Sequence, residues 1–171
     1  MRARILSVAA AAAALVLVRP GPVVAASDPG TTVTFAVRSG ALTLSVPASA
    51  NLGAGAPGTV ISAPIGPVTV TDDRALLSAS WTVTAAETDF TSSASTVPAT
   101  SATYAAGTVT TTGTITATTT DVTLSNSGQV VVTGSAGVGD NTATWNPTVA
   151  VAVPAGAVGG AYTGTLTQSV A

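Results

Sequence analysis

The feature that most constrains this chain is a run-and-break pattern of β-branched residues that never settles into a helical period after residue 26. Thr and Val contribute 31 and 24 residues and Ala another 34. Their branched β-carbons suit a pleated surface. Gly, Pro, Ser and Asn cut the sequence into short segments that alternate with a period of two, which predicts strands. Thr32–Val37 places Val33, Phe35 and Val37 on one face, and Ser39-Gly40 turns it into Ala41–Val46, so the two are expected to form a hairpin. Further strands are predicted at Thr59–Ala63, Pro67–Asp72 and Ser78–Ala85, the last with Trp81 and Val83 on one face. Ser101–Ala105, Thr108–Thr116, Asp121–Ser125, Gln129–Thr133, Ala143–Val153 and Gly160–Val170 follow. Asn51–Gly58, Asp72–Arg74 and Ser135–Asn141 are expected as loops or turns, and 87–101 as a long Ser/Thr-rich loop anchored by Phe90. Pro147 marks a bulge or an edge, since proline cannot donate to a central ladder. Nine to eleven short strands at this spacing predict an all-β fold, an antiparallel β-sandwich of the Ig-like or jelly-roll-like kind.

Residues 1–26 stand apart. Arg2 and Arg4 precede a fourteen-residue run, Ile5 to Val18, apolar except for Ser7, followed by Arg19-Pro20-Gly21-Pro22 and a small-residue site ending at Ala26. This is the pattern of a helical secretory signal peptide, and the run falls short of the ~20 residues that span a bilayer. The expected mature chain, 27–171, suits one domain. It carries two arginines against seven carboxylates, a net charge of −5. So few cations cannot neutralise phosphates or anionic lipid, so neither nucleic acid nor membrane insertion after signal cleavage is expected. The localisation read from these features is secreted.

The chain has no cysteine, histidine or lysine. Disulfides, thiolate or imidazole catalysis, Schiff-base chemistry and zinc sites of the usual ligands are therefore excluded. The carboxylates Asp72/Asp73 and Glu87/Asp89 are the local acid pairs. A hydrolase would need two of them facing across a cleft, and a calcium site would need more oxygen ligands than Asp72-Asp73 offers. The glycine pairs at 53/55 and 137/139 open no helix and cradle no phosphate. The T-x-T runs of 108–120 show no fixed repeat and read as exposed strand threonines. No cofactor or metal is called for, and the expectation is a non-enzymatic protein. The aromatics, Trp81, Trp145, Phe90, Tyr104 and Tyr162, are few; each is either a core residue or a platform for a sugar ring.

Two segments carry a family likeness. Ser80-Trp81-Thr82-Val83-Thr84 followed by Thr88-Asp89-Phe90, and Val153-Pro154-Ala155-Gly156-Ala157 with Gly160-Ala161-Tyr162-Thr163-Gly164-Thr165-Leu166-Thr167, resemble the two half-motifs of the WxL family of bacterial surface proteins. Gly40-Ala41-Leu42-Thr43-Leu44-Ser45-Val46-Pro47 matches the start such domains often have. The sequence departs from the family pattern at Val83, which stands for leucine, and at Gln168-Ser169-Val170, which lacks the second tryptophan. The resemblance implies an exported protein of a Gram-positive bacterium, an actinobacterium by its arginine and alanine usage. It implies non-covalent attachment to the cell wall through peptidoglycan or another wall glycan, with a companion membrane-anchored surface protein as a further partner. It points to Trp81, Val83, Phe90 and Tyr162 as the ligand-binding residues. The alternative is a self-associating structural surface subunit or adhesin module, because Thr-rich strands with little charge guard their edges poorly.

Overall fold

The computed structural model describes residues 31–171. The signal-peptide reading of 1–26 lies outside them. Eleven strands and a single 3₁₀ turn make up the described regular structure: β1 Leu42–Ser45, β2 Val60–Pro64, β3 Val68–Glu87, β4 Phe90–Thr91, β5 Thr96–Val97, the turn Ala99–Ser101, β6 Ala102–Ala105, β7 Thr110–Thr119, β8 Val122–Thr123, β9 Gln129–Trp145, β10 Thr148–Ala152 and β11 Leu166–Val170. All paired strands are antiparallel. One sheet runs β1-β3-β9-β7, with β11 also on β3; a second runs β2-β10-β6-β8; β4 and β5 form a small third pair. β1 pairs with residues 69–72 of β3 and β11 with residues 83–87, so the two short strands occupy opposite ends of one β3 edge. The fold is the expected antiparallel β-sandwich.

Its core is built from the alternating positions. Val68, Val70, Trp81, Val83 and Ala85 of β3 are buried with Val132, Ala143 and Trp145 of β9, and they pack with Ala102, Tyr104, Val149 and Val151 of the second sheet. Trp145 Nε1 donates to Tyr104 Oη at 2.9 Å, and Tyr104 Oη donates to Gln168 Oε1 at 2.9 Å. A polar chain thus ties β9 through β6 to β11 inside an otherwise apolar interior, which satisfies groups that burial would leave costly. The outward face carries threonines in cross-strand register. Thr43, Thr71, Thr142 and Thr112 form one rank, and Thr69, Thr144 and Thr110 stand in the next. The strand threonines expected at 108–120 are exposed or half-buried as the sequence implied.

Several local expectations change. No strand forms over 31–40, and Val33, Phe35 and Val37 are exposed. The expected hairpin is absent because Leu42–Ser45 pairs with β3 instead, Leu42 opposite Asp72. Asp72–Arg74 does not end a strand, and Ser135–Asn141 is not a turn. Both lie inside the long strands β3 and β9, whose pairing shifts register between Asp72 and Trp81. Bulges here move the buried positions of β3 from Val68, Val70 and Asp72 to Ala79, Trp81 and Val83. An odd offset of this kind keeps both halves facing the core, where an uninterrupted strand would turn one half to solvent. Ala75 and Ala136 take left-handed backbone (φ 54° each) to make it.

The polar residues at the bulge have their own reason. Asp72 is buried, and Arg74 Nε and Nη2 donate to its two oxygens at 2.8 Å each, while Nη2 also donates to the Ser80 carbonyl at 2.9 Å. These side-chain hydrogen bonds hold the Asp72 carboxyl below its usual range. Segment 87–101, expected as loop, contains the β4–β5 pair and the 3₁₀ turn. The run Ala143–Val153 breaks at Asn146-Pro147, where the chain passes from the first sheet to the second. Gly66 N–H donates to Asn146 Oδ1 at 3.0 Å and Ile65 N–H to the Pro147 carbonyl at 2.9 Å, joining this corner to the neighbouring β2–β3 crossing.

Candidate functional site

The alternation that buries Trp81, Val83 and Ala85 puts Glu87 on the same side of β3 at its last position. Three of the four are core. The fourth is a carboxyl, and it lines a cleft of about 720 Å³ walled by segment 46–57, segment 157–165, the valines of β10 and the start of β11. Phe90 and Tyr162 line the same cleft, as do Leu166 and Gln168. Glu87 is 4% exposed, and its Oε1 has no hydrogen-bond partner. Burial in these surroundings raises its pKa to about 7, against a smaller opposing effect of the Thr88 backbone N–H; removing the carboxylate from water disfavours its charged form.

The cover over Glu87 is backbone. A β-carbon on Gly164 would stand 2.5 Å from Glu87 Oε1 and 2.8 Å from Phe90 Cδ1, so glycine is required for this close approach. The covering segment is fixed by a short ladder. Thr88 N–H donates to the Thr165 carbonyl at 3.1 Å, and Thr165 N–H donates to Thr88 Oγ1 at 2.9 Å. Thr91 and Thr163 exchange backbone bonds of 3.0 and 2.9 Å. Tyr162 Oη donates to the Val158 carbonyl at 2.8 Å, which orients its ring at the cleft. On the opposite wall, Gly53 N–H donates to Asn51 Oδ1 at 2.9 Å.

Of the four residues singled out in the sequence, the fold brings Phe90 and Tyr162 together and separates them from the other two. Trp81 is 2% exposed and Val83 fully buried. Both are core, and neither presents a face to a ligand; this corrects their assignment as ligand-binding residues. A β-carbon at Gly134 would overlap the Trp81 indole, which fills the space that glycine leaves. The acid pairs are likewise divided. Asp89 accepts the Ala99 N–H at 2.9 Å and is not among the cleft residues, while Asp73 is exposed and Asp72 is locked to Arg74. Among the described residues one carboxyl-bearing residue, Glu87, therefore lines the cleft. Among the described residues no group of three or more acidic side chains is placed to hold a metal ion, and no helix is long and apolar enough to cross a membrane.

Sequence reasoning named Glu87 only as half of an acid pair. Its signal was the position itself, the fourth inward place of the series 81, 83, 85, 87. Segment 48–57 of the cleft carries no sequence motif, whereas Val46-Pro47 and Gly160–Leu166 belong to the segments that carry the family likeness. The chain matches no protein-family model, no curated protein and no solved structure.

Proposed function

We propose that this is an exported, non-enzymatic cell-surface protein that associates non-covalently with a wall glycan, peptidoglycan or a related polymer, through the cleft beside Glu87. The observation that carries the reading is the convergence of Phe90, Tyr162 and Glu87 on one concave site. Two aromatic rings offer faces for the C–H surfaces of sugars, and a carboxyl among apolar walls fixes orientation, the composition expected of a small-ligand site. Among the described residues one acid lines the cleft, with no second acid or base beside it for hydrolysis, which favours binding over turnover. A membrane-anchored companion at the surface fits the same reading.

The test is retention of the exported chain on purified actinobacterial cell walls. Saturable retention that falls at least tenfold in folded Tyr162→Ala supports the reading; no retention of the wild type overturns it. Self-association is the second reading, favoured by β7, a ten-residue strand at the end of its sheet that bears no charged side chain. It requires a size in solution that grows with concentration when no glycan is present.

A further inference from the structure

We propose that Glu87 is the counter-ion for a primary ammonium group on the bound polymer, so that the cleft selects a glucosamine unit lacking its N-acetyl group. This inference rests on the cleft being the glycan site and adds which sugar it takes.

Glu87 is an acid without a counter-ion in the described structure. Its Oε1 has no partner, and the residue is more than nine-tenths buried in a cleft wall. A carboxyl removed from water without a donor or a cation is costly, and the cost is recovered when a partner arrives. The described residues supply no such cation. Among the described residues the cationic side chains are Arg38 and Arg74; neither lines the cleft, and Arg74 is held by both oxygens of Asp72. Nor does an internal charge compete for a ligand cation. Glu87 and Tyr162 are the titratable residues lining the cleft, and Asp89, two residues along, is turned to the Ala99 N–H.

The elements packed on Glu87 otherwise present neutral groups: Leu166 opposite it in β11, the Gly164 backbone above it, and Phe90 beside that glycine. Oε1 itself is sealed beneath Gly164, so an ammonium entering here meets the part of the Glu87 carboxyl that lines the cleft, in surroundings of low polarity where charge-assisted hydrogen bonds are strongest. An acetamido group cannot replace it. It carries one N–H and no charge, and its acyl carbons need room beside a carboxyl already closed over by Gly164. The rings of Phe90 and Tyr162 favour an amino sugar over a free peptide amine, because they add stacking surface for the pyranose.

The experiment compares binding of the exported chain to glucosamine oligomers, N-acetylglucosamine oligomers and glucose oligomers of equal length by titration calorimetry near pH 7. The glucosamine oligomer is expected to bind tenfold or more tighter than the other two, the range of a charge-assisted hydrogen bond. Glu87→Gln keeps the shape and removes the charge, so it should fold and lose that preference while retaining residual binding. Equal or tighter binding of the N-acetylated oligomer, or an undiminished glucosamine preference in folded Glu87→Gln, overturns the inference and leaves the glycan reading intact. Binding of none of the three, together with no retention on cell walls, overturns both.

Discussion

Gly164 closes over the Glu87 carboxyl with its backbone, so near that a single added carbon would stand 2.5 Å from Oε1. Glu87 lies at the end of β3 and Gly164 just before β11, and the Thr88–Thr165 hydrogen bonds hold the two segments in that contact. The closeness makes the cleft sensitive to one methyl group. Gly164→Ala must move either Glu87 or the Phe90 ring, a form of overpacking that costs about 1–3 kcal/mol. The expected result is a lowered melting temperature and a larger proportional loss of cell-wall retention than of stability. A variant that melts and binds like the wild type would show that the segment relaxes freely.

The raised pKa of Glu87 makes stability depend on pH in a definite direction. The folded chain holds this proton up to about pH 7, whereas the unfolded chain releases it near the ordinary value of 4.5. The folded state therefore binds more protons between those values, and stability is full below pH 4.5 and declines as pH rises toward 7. The loss from this group is on the order of 3 kcal/mol, from a shift of that size. Denaturant midpoints measured from pH 4.5 to 8 should fall across that window in the wild type and change far less in Glu87→Gln. Equal slopes in the two proteins would mean that Glu87 is solvated in the folded state.

Asp72 acts in the opposite sense. Its carboxyl is held below the ordinary range chiefly by the Arg74 hydrogen bonds, so its contribution is present above the unfolded carboxylate value and is lost as pH falls through the folded one. Arg74→Ala leaves a buried carboxylate without its partner at the bulge. Arg74 is partly exposed, which reduces the effect below that of a fully buried pair, to about 2–3 kcal/mol. Chemical denaturation at pH 7 should give a loss of that size. Asp72→Asn should cost less than Arg74→Ala, since it removes the buried charge together with the pair.

The regular part of this fold was legible because the chain says the same thing twice. Val68/Val70 and Trp81/Val83/Ala85 alternate, and so do Val149 and Val151, and each set is buried. What local sequence did not separate was a bulge from a turn. Asp72-Asp73-Arg74 and Ser135–Asn141 have turn chemistry, and left-handed backbone does occur at Ala136 and, just past Arg74, at Ala75. They continue the strand because each lies opposite the other, a fact that belongs to the pairing of β3 with β9 across some sixty residues and not to either segment. Val33, Phe35 and Val37 show the converse: a clean alternation remains exposed and pairs with no strand among the described residues. The cleft was half legible. Phe90 and Tyr162 were conspicuous by their rarity, but only the sandwich reveals that they line one cleft with Glu87.

Trp81 offers a direct check on the division between core and site. Its indole is buried against Gly134, and its Nε1 has no hydrogen-bond partner. Trp81→Ala should therefore cost about 3–5 kcal/mol of stability, the range for removing a large buried aromatic. Wall retention should fall only in proportion to the fraction unfolded. Gly134→Ala should destabilise as well, because its added carbon meets the same ring. A folded Trp81→Ala that specifically loses glycan binding would return that residue to the ligand surface.

A polar chain runs through the core from Trp145 to Gln168. Tyr104 Oη accepts from Trp145 Nε1 and donates to Gln168 Oε1, so one hydroxyl serves a buried indole and a half-buried amide. Burial pushes the Tyr104 pKa up to about 12, which keeps the hydroxyl protonated and able to donate throughout the working pH range. Tyr104→Phe preserves the ring but leaves the indole N–H without an acceptor, at about 1–3 kcal/mol. Gln168 is the member of the chain that also lines the cleft. Gln168→Leu should cost less stability than Tyr104→Phe, because Tyr104 can still accept from Trp145. Thermal melts of both single variants and the double variant separate these contributions. A double variant no less stable than Tyr104→Phe alone is the expected sign that the two residues act as one network. Simple additivity would show that Gln168 stabilises β11 independently of the tyrosine.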